Sequence, residues 1–319
     1  TLDTNIQTIV ESAILQANEE MKQETEGATT GSDNTAVLVM NPKNGDVLAM
    51  ASYPSFDLNN PKDLSAYFTE EQLSAMSDED KMNTLNNLWQ NYAISKTFEP
   101  GSTFKPFTEA MGLDSGTLHG DETYICDGGE WVSGHEIGCV KRTGHGMEDL
   151  RGALRDSCND AMMQMVRAIG PANFAKYSRE YGFGQKTGID LPGEASTASL
   201  IFSEEQLAQT ESNLAVSSFG QGFNVTMVQL ASSFCSLING GDLYQPHVVK
   251  KVVDDSGNTV QEINPVVLKE TVSQEVSDTL RDYMYTVVSE GTGTKAAVEG
   301  YAIGGKTGTA EKVPRGSGN

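Results

Sequence analysis

The chain has 319 residues, enough for one large domain or two small ones with a sizeable buried core. It is 38% hydrophobic and 21% charged, an ordinary globular balance. Its 22 Lys+Arg against 44 Asp+Glu give a formal charge of −22, which argues against nucleic acid as a partner but leaves room for a local cationic pocket. No apolar run reaches transmembrane length, no signal-peptide pattern is found, and the start at Thr1 reads as a processed product or a piece of something longer.

Apolar residues at Ile6, Ile9, Val10, Ala13, Ile14 and Ala17 recur at helical spacing and predict an opening helix. "TAVLVMNPKNGDVLAMASYP" reads as strand, tight turn and strand, with "NPKNGD" supplying the turn. Residues 55–100 are polar and rich in Asn and Asp, with short helical pieces expected around Leu64 and Leu73. Pro100 and Gly101 then punctuate the chain, so a helix is expected from Ser102 to about Leu113. Pro106 fits its first turn, where a missing N–H has no intrahelical partner anyway. Gly116 to Gly146 reads as loop with a short hairpin. "DLRGALRDSCNDAMMQMVRAIG" is helical, breaks at Ser157 and resumes from Asp160. "VTMVQLASSFCSLINGG" is an apolar helix stopped by Gly240 and Gly241. "HVVKKVVDDSGNTVQEI" alternates about "DSGN" and predicts a second hairpin. Residues 273–290 predict a helix, and "YAIGGKTGTAEKV" a strand. This order argues for an α+β fold: one antiparallel sheet built from both ends of the chain, with a helical lobe inserted. The sheet lobe would hold about 1–57 and 240–319, the mostly helical lobe about 58–239.

In "EPGSTFKPF", Ser102 and Lys105 fall on one face at a helix N-terminus, beside free N–H groups and the positive end of the helix dipole. A hydroxyl becomes a nucleophile when something removes its proton. A neutral lysine can do so where burial and a nearby cation depress its pKa. The bland alternative is a helix cap followed by a solvated lysine. Two further signals change the balance. "SCN" places Ser157 and Asn159 at a break between helices, and "KTGTA" places Lys306, Thr307, Gly308 and Thr309 on a predicted strand. S-x-x-K, S-x-N and K-T-G in this order form the signature of class A β-lactamases and penicillin-binding proteins, here with Cys in the middle of the second element. A second "KTG" at Lys186–Gly188 lies among Gly182, Gly184, Pro192 and Gly193, which is loop chemistry, and is assigned to structure. Plainer readings stay beside the motif: Ser157 as a helix cap, Asn159 as a turn residue, Gly220 and Gly222 of "FGQG" as helix-start glycines rather than parts of a cleft.

There are four cysteines. Cys235 sits in an apolar helical pattern and reads as a core thiol. Cys126 and Cys139 flank a Gly-rich loop carrying His135, with His145 just beyond. Free thiols, a disulfide and a metal site all stay open there. The spacing matches no zinc pattern, so neither a metal nor a cofactor is expected. His135, His145 and the two tryptophans read as structural or loop-edge residues.

Together "EPGSTFKP", "SCN", "GFGQKTGIDLPGE", "FGQGFNVTMVQLA", "VVSEGTGTKA" and "GGKTGTAEK" resemble, in order and over nearly the whole chain, the transpeptidase domain of class B penicillin-binding proteins, with a leaning to the division or sporulation type. The resemblance implies a penicillin-binding/β-lactamase-like fold, an antiparallel sheet flanked by helices. It implies that Ser102 attacks the carbonyl between two D-alanines of a peptidoglycan stem peptide, with Lys105 as general base and Lys306 depressing its pKa. Ser157 would relay a proton to the leaving amine. Asn159 would hold the substrate amide and orient Lys105. Thr307 and Thr309 would bind the terminal carboxylate, with Gly308 allowing close approach. The N–H groups of Ser102 and Thr309 would form the oxyanion hole. β-Lactams would trap Ser102. Further implied partners are a lipid-II glycan polymerase and other division or sporulation proteins. The implied location is the extracytoplasmic face of the bacterial membrane, held by an N-terminal anchor that this sequence lacks. The family continues past "EKVPRGSGN" with more strands and a last helix, so the sequence reads as cut short. The Gly-rich end, although "VPRGS" resembles a protease tag, reads as a natural loop. Two other classes use the same scaffold: a hydrolase (D,D-carboxypeptidase or β-lactamase) and a β-lactam sensor or scaffold module without turnover. The missing S-D-N, and the lack of a deacylating glutamate motif, disfavour the class A β-lactamase.

Overall fold

The computed structural model describes residues 2–24 and 31–310. The reading of a loop after residue 310 lies outside them. The opening helix, Thr4–Glu24, forms as its apolar spacing predicts. It lays Val10 and Ile14 on Ala49 of a hairpin, Thr35–Met40 with Val47–Tyr53, whose strands pair from Thr35↔Tyr53. Between that hairpin and the motif serine, Leu64 sits in turns rather than a helix. Leu73 lies in the helix Glu70–Ala75, closed by a capping box at Thr69. The helix Asp78–Leu88 was not expected. It buries only Leu85, so its sequence carries almost no apolar stripe.

The main core is aromatic. Phe104 and Phe107 stack at 5.3 Å between ring centroids. Phe223 meets Phe104 edge-on at 4.9 Å, and Tyr181 meets Phe107 at 5.0 Å. Around this centre pack the helices Lys105–Asp114, Asn159–Glu180, Met227–Ile238 and Gln274–Ser289. Asp114 ties three of them. Its carboxylate accepts from the Tyr177 hydroxyl at 2.9 Å and from the backbone N–H of Ser273, the N-cap of the last helix, at 2.8 Å. Gly170, with φ +74° just before Pro171, kinks the longest of them.

Residues 123–149 hold the short hairpin expected there, nested inside a second one that was not expected. The strand Thr123–Cys126 pairs with Gly146–Asp149, and Gly129–Val132 pairs with His135–Gly138 inside it. The "DSGN" hairpin forms as Lys251–Val253 with Thr259–Glu262. The single sheet expected from both chain ends is not what the described residues make. They form six separate two-stranded antiparallel ladders, and residues 301–310 carry no strand. The reason is pairing: a strand exists through its ladder, and no described segment offers residues 301–310 one. Helices and antiparallel ladders together still make the α+β class. Among the described residues no helix is long and apolar enough to cross a membrane.

Phe104 is fully buried at the centre of the aromatic cluster and immediately precedes the motif lysine. Phe104→Ala should therefore cost about 3–5 kcal/mol of unfolding free energy. Urea unfolding of the two proteins side by side measures it, and an unchanged midpoint would mean that the cluster does not hold the serine turn.

Candidate active site

Ser102 lies in the 3-10 turn Gly101–Phe104, which runs directly into the helix Lys105–Asp114. In such a turn positions i and i+3 eclipse, so the serine and the lysine stand on one side of the chain. Two backbone segments close on this turn. Gly101 has φ +55°, and a Cβ there would stand 2.4 Å from the carbonyl oxygen of Thr309. Its N–H donates to the Gly220 carbonyl at 2.9 Å, and a Cβ on Gly220, φ +83°, would lie 2.1 Å from the Gly101 oxygen. Gly220 is thus part of the site's frame, not bare helix-start chemistry. Gly222 sits nearby, its N–H donating to the Glu99 carboxylate at 2.9 Å.

Lys105 is fully buried. Its Nζ donates to the Ser157 carbonyl at 2.5 Å and lies 3.1 Å from Ser157 Oγ. Lys306 Nζ reaches the same Oγ at 2.8 Å and the Thr307 carbonyl at 3.0 Å. One hydroxyl therefore bridges two lysines. Burial first, and the charge of Lys306 second, lower the Lys105 pKa to about 7. Burial lowers that of Lys306 to about 8. Glu109, one helical turn beyond Lys105, is fully buried, and neither carboxyl oxygen has a hydrogen-bond partner among the described residues. Burial and then the Asp149 charge push its pKa well up, which favours the neutral acid. The sequence reading missed Glu109, since a single glutamate inside a helix carries no signal.

Ser157 occupies the left-handed region at φ +56°, between the helices Leu150–Arg155 and Asn159–Glu180. A non-glycine residue pays about 1–3 kcal/mol for that conformation and keeps it only where neighbours over-determine it. Here the N–H groups of Ser157 and Cys158 return to the Leu154 and Ala153 carbonyls at 3.2 and 2.9 Å. Ser157 is not the helix cap; Cys158 is, its Sγ accepting from Ala161 N–H at 3.3 Å. Asn159 Nδ2 donates to the Gly138 carbonyl at 3.3 Å, and its Oδ1 is buried without a partner among the described residues. Asn159 makes no hydrogen bond to Lys105 among the described residues; the Ser157 oxygens take that place.

The cleft over these groups holds about 390 Å³ and is lined by Ser102, Ser157, Asn159, Thr307 and Thr309. Gln221 and Thr292 line it too, and neither was singled out from the sequence. Thr292 Oγ1 lies 2.9 Å from Thr307 Oγ1, so the "EGTGT" loop orients the "KTGT" segment. Gly308 packs against the serine turn: a Cβ there would stand 2.7 Å from Thr103 Cγ2. All eight motif residues named from the sequence thus converge. The second "KTG" does not join them: Thr187 and Gly188 bond to Glu194 within their own loop. A roomier cavity of about 800 Å³, beside the helix Gln274–Ser289, contains no motif residue.

The family described as penicillin binding protein transpeptidase domain matches residues 35–319. The chain belongs to that transpeptidase family. It is 36% identical over 318 residues to stage V sporulation protein D of Bacillus subtilis, covering 99% of this chain and 44% of that protein. It is 30% identical over 289 residues to the peptidoglycan D,D-transpeptidase MrdA of Acinetobacter baumannii, covering 86% and 41%. Among solved structures it is similar to penicillin-binding protein 3 of Mycobacterium tuberculosis complexed with aztreonam, with TM-score 0.81 and 27% identity over 100% of this chain and 65% of that one. These likenesses place it with the class B penicillin-binding proteins. The chain spans under half the length of the curated relatives it matches.

Two outcomes follow from this geometry. In ¹³C-labelled protein the Lys105 ε-carbon should titrate at about 7 and that of Lys306 at about 8; two ordinary lysine titrations would mean that the pocket is wet. Gly220→Ala should destabilise the transpeptidase domain by more than about 1 kcal/mol, read as a lower urea midpoint, because the new Cβ meets backbone rather than a yielding side chain.

Proposed function

We propose that the chain is the catalytic domain of a peptidoglycan D,D-transpeptidase that crosslinks the cell wall. The observation that carries this reading is Ser157 Oγ, shared between Lys105 Nζ and Lys306 Nζ beside Ser102 in an open cleft. Ser102 Oγ attacks the carbonyl between the two D-alanines of a stem peptide and gives its proton to neutral Lys105. The tetrahedral oxyanion is held by the N–H groups of Ser102 and Thr309. As the intermediate collapses, the carbon–nitrogen bond breaks and D-alanine leaves with a proton relayed through Ser157. An amine from a second stem peptide then attacks the acyl-enzyme, and its lost proton returns by the same lysine–serine path to Ser102. Thr307 and Thr309 grip the donor's terminal carboxylate, with Lys306 supplying charge and Gly308 clearance. Asn159, on the cleft wall, holds the substrate amide. A β-lactam occupies the donor's place and leaves Ser102 acylated.

Transfer rather than hydrolysis is favoured by Glu109. Held as the neutral acid beside the lysines, it does not line the cleft and so has no access to a water on the acyl-enzyme. On this reading residues of about 58–239 form the helical lobe, and those before and after form the sheet lobe. The domain works at the outer face of the bacterial membrane, anchored by a segment outside this sequence. It acts alongside a lipid-II glycan polymerase in division or sporulation, the latter supported by the likeness to the Bacillus sporulation protein.

Fluorescent penicillin labelling followed by intact mass tests the reading. A single adduct lasting hours on the wild type and absent from Ser102→Ala is expected, forming faster as pH rises through about 7, where Lys105 loses its proton. Crosslinking of a stem-peptide donor to an added amine separates transfer from sensing. Rapid loss of the adduct would favour the hydrolase, and an adduct on Ser102→Ala would refute the nucleophile.

A further inference from the structure

The nested hairpins of residues 123–149 gather three side chains that the reaction does not use. Cys126 ends one strand, Cys139 follows the inner hairpin, and His145 precedes the returning strand. Cys158, from the active-site turn, meets them. The four ligand atoms all lie within 4.8 Å of one another. Cys126 Sγ and Cys139 Sγ stand 3.5 and 3.6 Å from His145 Nδ1, and Cys139 Sγ stands 3.8 Å from Cys158 Sγ. The three sulfurs belong to buried residues, and the imidazole is half-buried.

We propose that Cys126, Cys139, His145 and Cys158 bind one Zn²⁺ ion as a closed structural site. The spacing argues for it. Zinc bonds of about 2.3 Å to sulfur and about 2.0–2.1 Å to nitrogen, at tetrahedral angles, set ligand atoms about 3.6 Å (S to N) and about 3.8 Å (S to S) apart. Three of the six separations, at 3.5, 3.6 and 3.8 Å, already stand at those values, and the others fall within 4.8 Å. Hydrogen bonding is a poor rival explanation, since thiols are weak donors and acceptors. A donor set of three sulfurs and one imidazole suits zinc, whereas Mg²⁺ and Ca²⁺ want oxygen. On binding, three S–H protons pass to solvent, water leaves the hydrated ion, and three Zn–S bonds and one Zn–N bond form with no change of oxidation state. With all four positions filled by protein, the ion has no open site for substrate.

The location gives the ion its consequence. Cys158 separates Ser157 from Asn159, and Asn159 donates to the carbonyl of Gly138, the neighbour of Cys139. The metal would clasp the hairpins onto the catalytic turn and hold Ser157 in its left-handed conformation. The sequence hid this because Cys158 lies inside the "SCN" motif, and the four ligands are spread over a nested hairpin instead of a short zinc pattern.

The test uses metal uptake, so it is independent of whether Ser102 acylates. The full chain is reduced, stripped with a chelator and titrated with Co²⁺, then with Zn²⁺. The expected result is one Co²⁺ per chain, with thiolate-to-cobalt charge-transfer absorption and the intense visible bands of a tetrahedral site, all abolished by one equivalent of Zn²⁺. Cys126→Ser and His145→Ala should lose that tetrahedral spectrum and the rise in melting temperature on adding zinc. Cys235→Ser, in the helix Met227–Ile238, should keep both. Weak octahedral cobalt bands, or wild-type uptake no greater than that of Cys126→Ser, would overturn the proposal; the cobalt spectrum of the wild type decides even if a variant fails to fold.

Discussion

Two lysines share one serine oxygen, and the cleft is organised around that sharing. Lys105 comes from the first turn of a helix, Lys306 from a segment at the far end of the chain, and Ser157 from a break between two helices. Two unit charges about 4 Å apart at an effective dielectric of about 20 repel by about 4 kcal/mol. Neutralising one lysine relieves that repulsion, and the more deeply buried one yields first. Lys105 is that lysine, which is why its pKa falls further than that of Lys306. The arrangement makes a base by geometry: a side chain that is ordinarily a cation becomes a proton acceptor because burial disfavours its charge and its neighbour keeps its own.

That geometry needs three pieces of backbone at fixed positions, and the packing provides them. The aromatic cluster under Phe104 fixes the serine turn from below. Gly220 and Thr309 press on Gly101 from two other sides, at distances that no side chain could enter. The left-handed Ser157 is the strained member. Its conformation points both its carbonyl and its hydroxyl at Lys105, which a continuous helix from residue 150 to 180 could not do, because the carbonyl would be spent on the helical ladder.

Much of this was legible in the sequence, and the reasons differ by element. The helix break at Ser157 could be read because apolar periodicity stops and restarts around it. The hairpins at 35–53 and 251–262 announced themselves through turn residues between alternating runs. The helix Asp78–Leu88 was silent because its faces are almost all wet. The α+β class was legible, but the single sheet is not formed among the described residues, because pairing is a property of two segments together and no local pattern fixes the partner. At the site, the eight motif residues were legible as spaced signatures. Gly220 stayed between a cleft role and helix-start chemistry, and Gln221 and Thr292 were not singled out, since their value lies in what they touch across the fold. The gathering of the cysteines was hidden for the same reason. His145 and Cys158 are brought to Cys126 and Cys139 by a nested hairpin whose register the spacing does not encode.

The overall charge sharpens what the pocket must accomplish. A surface carrying a formal −22 would repel the carboxylate-ended donor proposed for this site, so attraction would have to be local. Lys306 supplies it, but only if the acid nearest the lysines in the chain stays silent. Glu109 sits one turn beyond Lys105 without a hydrogen-bond partner among the described residues; were it ionised, it would hold Lys105 protonated and cancel the positive field at the cleft floor. Burial and the Asp149 charge favour the neutral acid instead. A neutral Glu109 and a neutral Lys105 leave Lys306 as the remaining cation of the group, and it is the one that comes from the segment carrying Thr307 and Thr309. The chemistry thus divides along the chain: the buried turn keeps a proton acceptor, and the "KTGT" segment keeps the charge that an anionic substrate terminus requires.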